Sequence, residues 1–237
     1  MLAIIMTALG ACALILFILL RIKKRGFAAL ITKITVSLFF LLTAITATFS
    51  HNLGIYQSLF LAVLFGQIFG LVGDILLDLR DLHPDYREPY TFAGFVSFLL
   101  GHLMFIGGLM WCYSFQLVHV LVMLGAAAVL CAGVVLTEKP MKLKFGKFKG
   151  ITAGYSAVFG VSVAAAWMAY AATGRTQTLV MAIGLTAFLL SDLVLSGTYF
   201  GEGKNRPVDI ALNYILYYGG QFTIALSLLA INEIGGG

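Results

Sequence analysis

The sequence predicts an all-α integral membrane protein, a bundle of about eight transmembrane helices. Hydrophobic residues make up 61% of the 237-residue chain and charged residues only 11%, whereas a soluble domain carries roughly 25% charged residues. The apolar residues form runs of about 20, the length that a helix needs to cross a bilayer. The charged residues fall in alternate loops, so the net charge of +5 indicates membrane orientation and not a nucleic-acid partner.

Hydropathy places the spans, and the short connections between them favour antiparallel neighbours in a single domain of residues 1–237. The first apolar run has the length of a signal peptide, but its basic residues follow the run, so we expect an uncleaved first span. The predicted spans are 2–20, 28–48, 56–78, 92–112, 116–136, 150–172, 177–198 and 209–231.

The distribution of basic residues predicts the orientation. If the N-terminus lies outside, 13 of the 15 Lys and Arg residues fall in inner loops, and the even number of spans returns the C-terminus to the outside. The inner set is Arg21, Lys23, Lys24, Arg25, Arg80, Arg87, Lys139, Lys142, Lys144, Lys147, Lys149, Lys204 and Arg206. We expect a bacterial inner (cell) membrane protein, since eukaryotic sorting signals are absent.

Two inner loops differ in character. Residues 78–90 carry mixed charge and two prolines, which favours an ordered lid or entrance. Residues 138–149 interleave Lys with Leu and Phe, a pattern suited to anionic headgroups, but the simpler account, which we favour, is solvated charge that orients the chain.

Three acids are candidate catalytic residues. Asp74 and Asp192 lie inside apolar spans, where a carboxylate costs on the order of 2.5 to 3.5 kcal/mol on insertion scales and is rarely kept without a task. Asp78 lies one helical turn after Asp74 on the same face. The alternatives are a purely structural salt bridge between Asp74 and Lys33, and solvation of Asp78 at a helix end.

Further polar residues lie at a similar predicted depth, which indicates one polar cavity that opens toward the inner face. Any single His or Tyr among them could instead serve packing or a backbone hydrogen bond. The candidate substrate-binding residues are Lys33, His102, Tyr155, Asn213, Tyr214, Tyr217, Tyr218 and Gln221.

The residue inventory favours acid–base chemistry over other reaction types. One membrane histidine and two separated aspartates are a poor set of metal ligands, and the three cysteines show no CxxC spacing. We therefore predict neither a metal nor another cofactor. Two acids in a low-dielectric pocket can act as general acid and general base, one donating a proton while the other accepts one.

A short internal similarity accompanies the two acids. The segments LVGDILLD around Asp74 and LLSDLVLS around Asp192 share a small-Asp-x-x-Leu pattern, and each lies late in an outside-to-inside span. This pattern is compatible with a parallel repeat of four plus four spans.

Several segments, in order, resemble the lysoplasmalogenase family of YhhN-like membrane proteins: GDILL, GFVSFLLGHLMFI, LLSDLVL and YYGGQFTIAL. Lys33 in ITKITV is similar to a lysine that the family carries early in its second span, although Ile34 stands where the family often has proline. The resemblance covers most of the chain.

The resemblance implies hydrolysis of the vinyl ether bond of lysoplasmalogen to a fatty aldehyde and glycerophospho-ethanolamine or glycerophospho-choline. We then expect Asp74 and Asp192 to act as acid and base, with Asp78 as a further candidate. Tyr217 and Gln221 would orient water or the ether oxygen, and Lys33 and His102 would hold the phosphate. The partners would be the lysophospholipid and membrane lipids. The alternatives are a proton-coupled transporter that uses the same acids, and a membrane module that uses them only to join helices.

Overall fold

A computed structural model describes residues 1–24, 26–49, 53–201 and 206–234. Within these ranges the structure is 90% helical, and eight of the described helices are long and apolar enough to cross a membrane, which confirms the predicted fold class. The helices are α1 (Leu2–Ile22), α2 (Gly26–Thr48), α3 (Gln57–Leu82), α4 (Arg87–Cys112), α5 (Leu117–Thr137), α6 (Lys149–Thr173), α7 (Thr176–Phe200) and α8 (Pro207–Leu226), followed by a 3₁₀ helix over Ser227–Ile234.

Local signals set several helix ends. Gly174 ends α6 with a φ of 63°, a left-handed conformation that glycine adopts without a steric penalty. Pro207 opens α8 at its first position, where its missing N–H costs no helical hydrogen bond. The Asp209 side chain accepts a hydrogen bond from the Arg206 backbone N–H and so caps the same helix.

Consecutive helices pack as antiparallel pairs, and these pairs assemble in a repeating way. The pairs are α1 with α2, α3 with α4, α5 with α6, and α7 with α8. Helix α8 packs back against α2, and α4 packs against α6 in the corresponding manner. Helix α5 packs against α6 at the edge of the bundle, and Met123 is its only buried residue, which suits a helix that faces lipid.

Glycines allow close approach within two of these pairs. A Cβ on Gly101 of α4 would lie 2.9 Å from the Gly66 carbonyl oxygen of α3, and one on Gly184 of α7 would lie 2.9 Å from the Gly220 carbonyl oxygen of α8. Small residues of this kind let transmembrane helices pack backbone against backbone. The two contacts hold the helices that carry Asp74 and Asp192.

The predicted lid over residues 78–90 is wrong for most of its length. Helix α3 continues to Leu82 and α4 begins at Arg87, with a 3₁₀ turn over Pro84–Tyr86 between them. The sequence DILLDLRDL contains no helix breaker, so α3 runs on until the residue before Pro84, which proline disfavours in the α conformation. Asp78 and Arg80 therefore lie on a helix and not in a loop.

The apolar residues of the loop between α5 and α6 turn inward. Leu143 and Phe145 are buried; Leu143 forms an isolated antiparallel bridge with Gly201, and the Phe145 ring lies 4.9 Å from that of Phe200. The prediction that the loop's Leu and Phe residues contact headgroups is wrong for these two side chains. Lys149 hydrogen-bonds to Glu138 across the loop and holds the pKa of that carboxyl below its usual value.

One end of the bundle gathers the predicted inner surface. Helices α1, α3 and α7 end where α2, α4 and α8 begin, and residues from all six of these ends line a common cavity. The side of the membrane that this end faces stays a prediction. Three parts of the predicted inner surface and tail lie outside the described residues: Arg25, Lys204 and Gly235 to Gly237.

Candidate functional site: two acids in one pocket

Asp74 lies in the interior of the bundle, within a network of charged and hydroxyl groups from three helices. Its Oδ1 lies 3.2 Å from the Lys33 ammonium of α2. Its Oδ2 accepts hydrogen bonds from the Ser37 hydroxyl at 2.8 Å and the Tyr217 hydroxyl at 2.9 Å. The side chain is buried, and the cation and hydroxyl donors around it favour its ionised form against the cost of burial.

Lys33 is surrounded by acidic and carbonyl oxygens of α3. Besides the ion pair with Asp74, its ammonium donates to Asp78 Oδ1 at 3.0 Å and to the Asp74 carbonyl oxygen at 3.2 Å. These contacts match the alternative of a structural ion pair with Asp74. The expected contact of Lys33 with a phosphate stays a prediction.

Asp78 belongs to the same ion-pair network and does not line the pocket. It is buried, with Lys33 on one oxygen and the Arg21 guanidinium 3.3 Å from the other. Arg21 also lies 3.0 Å from Asp81. The surrounding cations compensate the charge of this second acid inside the bundle. Asp78 therefore contributes to the site through its ion pairs with Lys33 and Arg21.

Two glutamine side chains, Gln221 of α8 and Gln67 of α3, form the hydrogen bonds behind Tyr217. Gln221 Nε2 donates to the Tyr217 hydroxyl at 3.4 Å, and Gln67 Nε2 of α3 donates to the Gln221 carbonyl oxygen at 2.8 Å. The Tyr218 hydroxyl lies 3.2 Å from the Ser37 hydroxyl. Sequence reasoning missed Ser37 and Gln67, because a single Ser or Gln in an apolar span has no pattern of its own.

Asp192 has a different environment. Its Oδ2 accepts a short hydrogen bond from the Tyr155 hydroxyl of α6, and Ser191 Oγ lies 3.5 Å from its other oxygen. Within the described ranges it forms no ion pair. Aromatic packing in the interior holds the Tyr155 ring in place, since it packs against Phe95 of α4 and Phe159 of α6.

His102 lies behind Tyr155 and not in the pocket wall. Its Nε2 is 3.5 Å from the Tyr155 hydroxyl, and its Nδ1 is 3.2 Å from the Ser162 hydroxyl. The Phe159 ring lies 3.8 Å from the imidazole, which is 1% exposed. An anion could reach the ring only by displacing this packing, and the expected phosphate contact of His102 stays a prediction.

The two acids occupy corresponding positions in the two halves of the chain. Ser37 lies 37 residues before Asp74 and donates to it from the preceding transmembrane helix. Tyr155 also lies 37 residues before Asp192 and donates to it from the preceding helix. With the matching contacts of α4 with α6 and α8 with α2, this relationship supports the predicted four-plus-four repeat. The halves differ in Lys33, which provides a cation to the first acid only.

Asp74 and Asp192 line the same pocket, which has a cavity volume of about 40 Å³. Apolar side chains including Phe95, Phe98 and Leu195 complete its wall. Of the predicted site residues, those that line the pocket are Lys33, Asp74, Tyr155, Asp192, Asn213, Tyr214 and Tyr217, while Asp78, His102, Tyr218 and Gln221 lie behind its wall.

A basic vestibule adjoins the pocket at the end of the bundle where α1, α3 and α7 end. It has a cavity volume of about 730 Å³ and shares Leu195, Tyr199, Asn213 and Tyr214 with the pocket wall. Its charged lining is Arg21, Lys24, Arg80, Asp81 and Arg87. Sequence reasoning used these cations only for orientation, because their convergence on one cavity depends on the packing of four helices.

An apolar groove with a cavity volume of about 180 Å³ adjoins the pocket on the side of α5. It shares Phe95, Tyr155, Asp192, Leu195 and Tyr199 with the pocket wall. The rest of its lining comes from α5, α6, α7 and the loop between α5 and α6, and Asp192 is its only charged residue among those described. The pocket therefore connects a basic cavity with an apolar one.

The arrangement suits proton transfer to and from a substrate that has both an anionic and an apolar part. In the described part of the chain, no three His, Cys, Asp or Glu residues converge in a way that could hold a metal ion. Two carboxyl groups in contrasting environments at one pocket can act as proton donor and as fixed negative charge.

The fold and the site together define a class: a multi-pass α-helical membrane protein with a pair of acids in an interior pocket. The chain belongs to the YhhN family, whose family model matches residues 28–228 and so includes every candidate site residue. This match confirms the family that the sequence segments indicated. No curated protein and no solved structure matches the chain.

Proposed function

We propose that this protein is a lysoplasmalogenase-like membrane hydrolase. It cleaves the vinyl ether bond of a lysoplasmalogen to a fatty aldehyde and glycerophospho-ethanolamine or glycerophospho-choline. The observation that carries the proposal is that Asp74 and Asp192 line one pocket but differ in their counter-charges. Membership of the YhhN family supports a membrane hydrolase, and the resemblance described above supports this substrate class.

Vinyl ether hydrolysis makes three demands on a site. A proton must be delivered to the β-carbon of the double bond, which converts the ether into an oxocarbenium ion. Negative charge must stabilise this cation, and a base must take a proton from the water that attacks it. The resulting hemiacetal then collapses, breaking its bond to the glycerol oxygen, and releases aldehyde and alcohol with the net use of one water molecule.

Asp192 is the proposed proton donor. Its hydrogen-bond partners are the hydroxyl groups of Tyr155 and Ser191, so it can carry a proton without giving up an ion pair. After the proton has moved to carbon, the Asp192 carboxylate takes a proton from the attacking water. This second transfer restores the acid for the next turnover.

Asp74 is the proposed stabiliser of the cation. Lys33 and the hydroxyl groups of Ser37 and Tyr217 hold it as a carboxylate at the wall of the pocket. A fixed charge of this kind in a site of low dielectric needs no reorganisation when positive charge develops on the substrate. The many donors around Asp74 make it a weaker candidate for moving protons.

The basic vestibule is the proposed site of the phosphate. Lys24 and Arg87 contribute cationic side chains to its wall, and Arg21 and Arg80 add further positive charge beside Asp81. Guanidinium and ammonium groups are the usual partners of phosphate oxygens. We place this end of the bundle at the cytoplasmic surface of a bacterial cell membrane, as the basic loops predict.

The packing beyond the pocket favours an enzyme over a transporter. A transporter needs a route to the opposite end of the bundle. In that direction the rings of Phe159 and Phe188 pack at 5.1 Å, and Phe159 also covers His102. These side chains fill the space between α4, α6 and α7, whereas the basic vestibule adjoins the pocket at its other end.

The test of this function compares two substrates of the purified protein. One is a lysoplasmalogen, and the other is an ester-linked lysophospholipid with the same headgroup and chain length. We expect release of fatty aldehyde from the first and no release of fatty acid from the second. Release of fatty acid, or no release from either lipid by a folded protein, would contradict the proposal.

A further inference from the structure

The apolar groove lies where the bundle is open toward lipid. Helices α5 and α7 both pack against α6, and the groove lies between them with Tyr155 and Phe159 of α6 in its lining. Leu193 of α7 lines the groove and is 55% exposed. A hydrocarbon chain in the groove would therefore contact the protein on one side and have a path into the surrounding bilayer on the other.

The loop between α5 and α6 closes one end of the groove. Its buried Leu143 and Phe145 contribute to the lining, together with Met141. The bridge from Leu143 to Gly201 fastens this loop to the end of α7. The closed end lies at the level of the basic vestibule, so an apolar ligand in the groove would extend from this level toward the bilayer centre.

Thr152 indicates that the groove receives a ligand with a polar atom. The side chain is 6% exposed and lines the groove, and its hydroxyl finds no hydrogen-bond partner within the described chain. A buried hydroxyl left unpaired costs about 1 to 3 kcal/mol, so such groups are normally satisfied. Thr152 lies one helical turn before Tyr155, whose hydroxyl contacts Asp192.

We propose that the apolar groove holds the single hydrocarbon chain of the substrate lipid, while the Thr152 hydroxyl pairs with a polar atom at the head of that chain. This inference rests on the proposed function for the identity of the lipid. Its own support is the continuity of the groove with the pocket of Asp192, the lining of aliphatic and aromatic residues, and the unpaired hydroxyl.

Gly133 of α5 offers a way to fill the groove without disturbing the fold. It lines the groove, and a Cβ at this position would meet no atom within 4 Å. Gly125, earlier on the same helix, is equally open, but it lines none of the three cavities described above. Gly133→Phe therefore places a ring in the groove, and Gly125→Phe makes the same change on α5 elsewhere.

The experiment uses a saturated 1-O-alkyl lysophosphoethanolamine with a diazirine halfway along its chain. The purified protein is illuminated with this probe in nanodiscs, and the labelled residues are identified by mass spectrometry. We expect adducts on the groove residues of α5, α6 and α7. We expect at least a fivefold loss of these adducts in Gly133→Phe and no loss in Gly125→Phe.

Equal labelling of the two variants, or adducts spread evenly over the lipid-facing helices, would overturn the proposal. The probe has no vinyl ether and cannot be cleaved by protonation of carbon, so its labelling does not depend on hydrolysis. Groove labelling by a protein that releases no aldehyde would refute the proposed function alone. Aldehyde release without groove labelling would refute this inference alone.

Discussion

Asp74 and Asp192 line one pocket, and among the described residues only Asp74 forms an ion pair there. The two acids are otherwise placed alike, since each accepts a hydrogen bond from a residue 37 positions earlier on the preceding transmembrane helix. A bundle with similar halves has thus kept a cation beside one acid and none beside the other. This difference is the basis of the roles that we propose for them.

Removal of the Lys33 charge is expected to destabilise the bundle. Lys33→Met leaves the buried carboxylates of Asp74 and Asp78 without their shared cation, and breaking a buried ion pair costs about 3 to 5 kcal/mol. We expect a large fall in Tm, measured by thermal unfolding in detergent. The double variant Lys33→Met with Asp78→Asn should recover part of this loss, and an unchanged Tm in the single variant would contradict the network.

The Tyr155 hydroxyl is expected to position Asp192. Tyr155→Phe keeps the ring packed against Phe95 and Phe159 and removes the hydrogen bond to the acid, together with the longer contact to His102. We expect kcat to fall about tenfold with little change in KM, because the lost contact acts on proton transfer and not on lipid binding. Ser196→Ala, elsewhere in the groove lining, is the control. A rise in KM at constant kcat would instead indicate a binding role for Tyr155.

The vestibule cations are expected to act on binding. Lys24→Gln and Arg87→Gln remove positive charge from the vestibule wall, so we expect a several-fold rise in KM, a nearly constant kcat and a weaker dependence on salt. Lys139→Gln removes the same charge from an exposed site on the neighbouring loop, away from the three cavities. An equal effect of Lys139→Gln would show that general surface charge, and not the vestibule, attracts the substrate.

The close contact between α7 and α8 is expected to tolerate no methyl group. A Cβ on Gly184 would lie 2.8 Å from Ile224 Cγ1 and 2.9 Å from the Gly220 carbonyl oxygen, and overpacking of this kind costs about 1 to 3 kcal/mol. Gly184→Ala should therefore lower Tm. Gly219→Ala, where a Cβ meets nothing within 4 Å, should leave Tm unchanged or slightly higher, and equal Tm values for the two variants would argue against this packing.

The fold was largely predictable because membrane spans depend on local composition. The eight predicted spans correspond to eight helices, and the edges differ by a few residues where a helix extends beyond the apolar run, as α3 does to Leu82. Hydropathy ends a span at the first charges, whereas the helix itself ends only where proline or glycine stops its hydrogen bonds. This difference explains the error over residues 78–90.

The residues of the site that sequence predicts best are those whose burial in an apolar span costs the most free energy. Asp74 and Asp192 stand out because a carboxylate in an apolar run is expensive. Ser37 and the hydroxyl of Thr152 cost little at any one position, so their roles follow only from which helices meet. The contacts of Lys33 and His102 were unpredictable for a related reason, since sequence shows the donors of a residue but not the acceptors that lie beside them.

The most direct test of the central claim is the rate of aldehyde release from lysoplasmalogen by purified Asp192→Asn, compared with the wild-type protein. The substitution keeps the shape of the side chain and an oxygen that can accept the Tyr155 hydrogen bond, but it removes the transferable proton. We predict a loss of at least about a hundredfold in kcat, the scale of general acid–base catalysis, with an unchanged Tm. A folded Asp192→Asn variant that releases aldehyde at close to the wild-type rate would contradict the account.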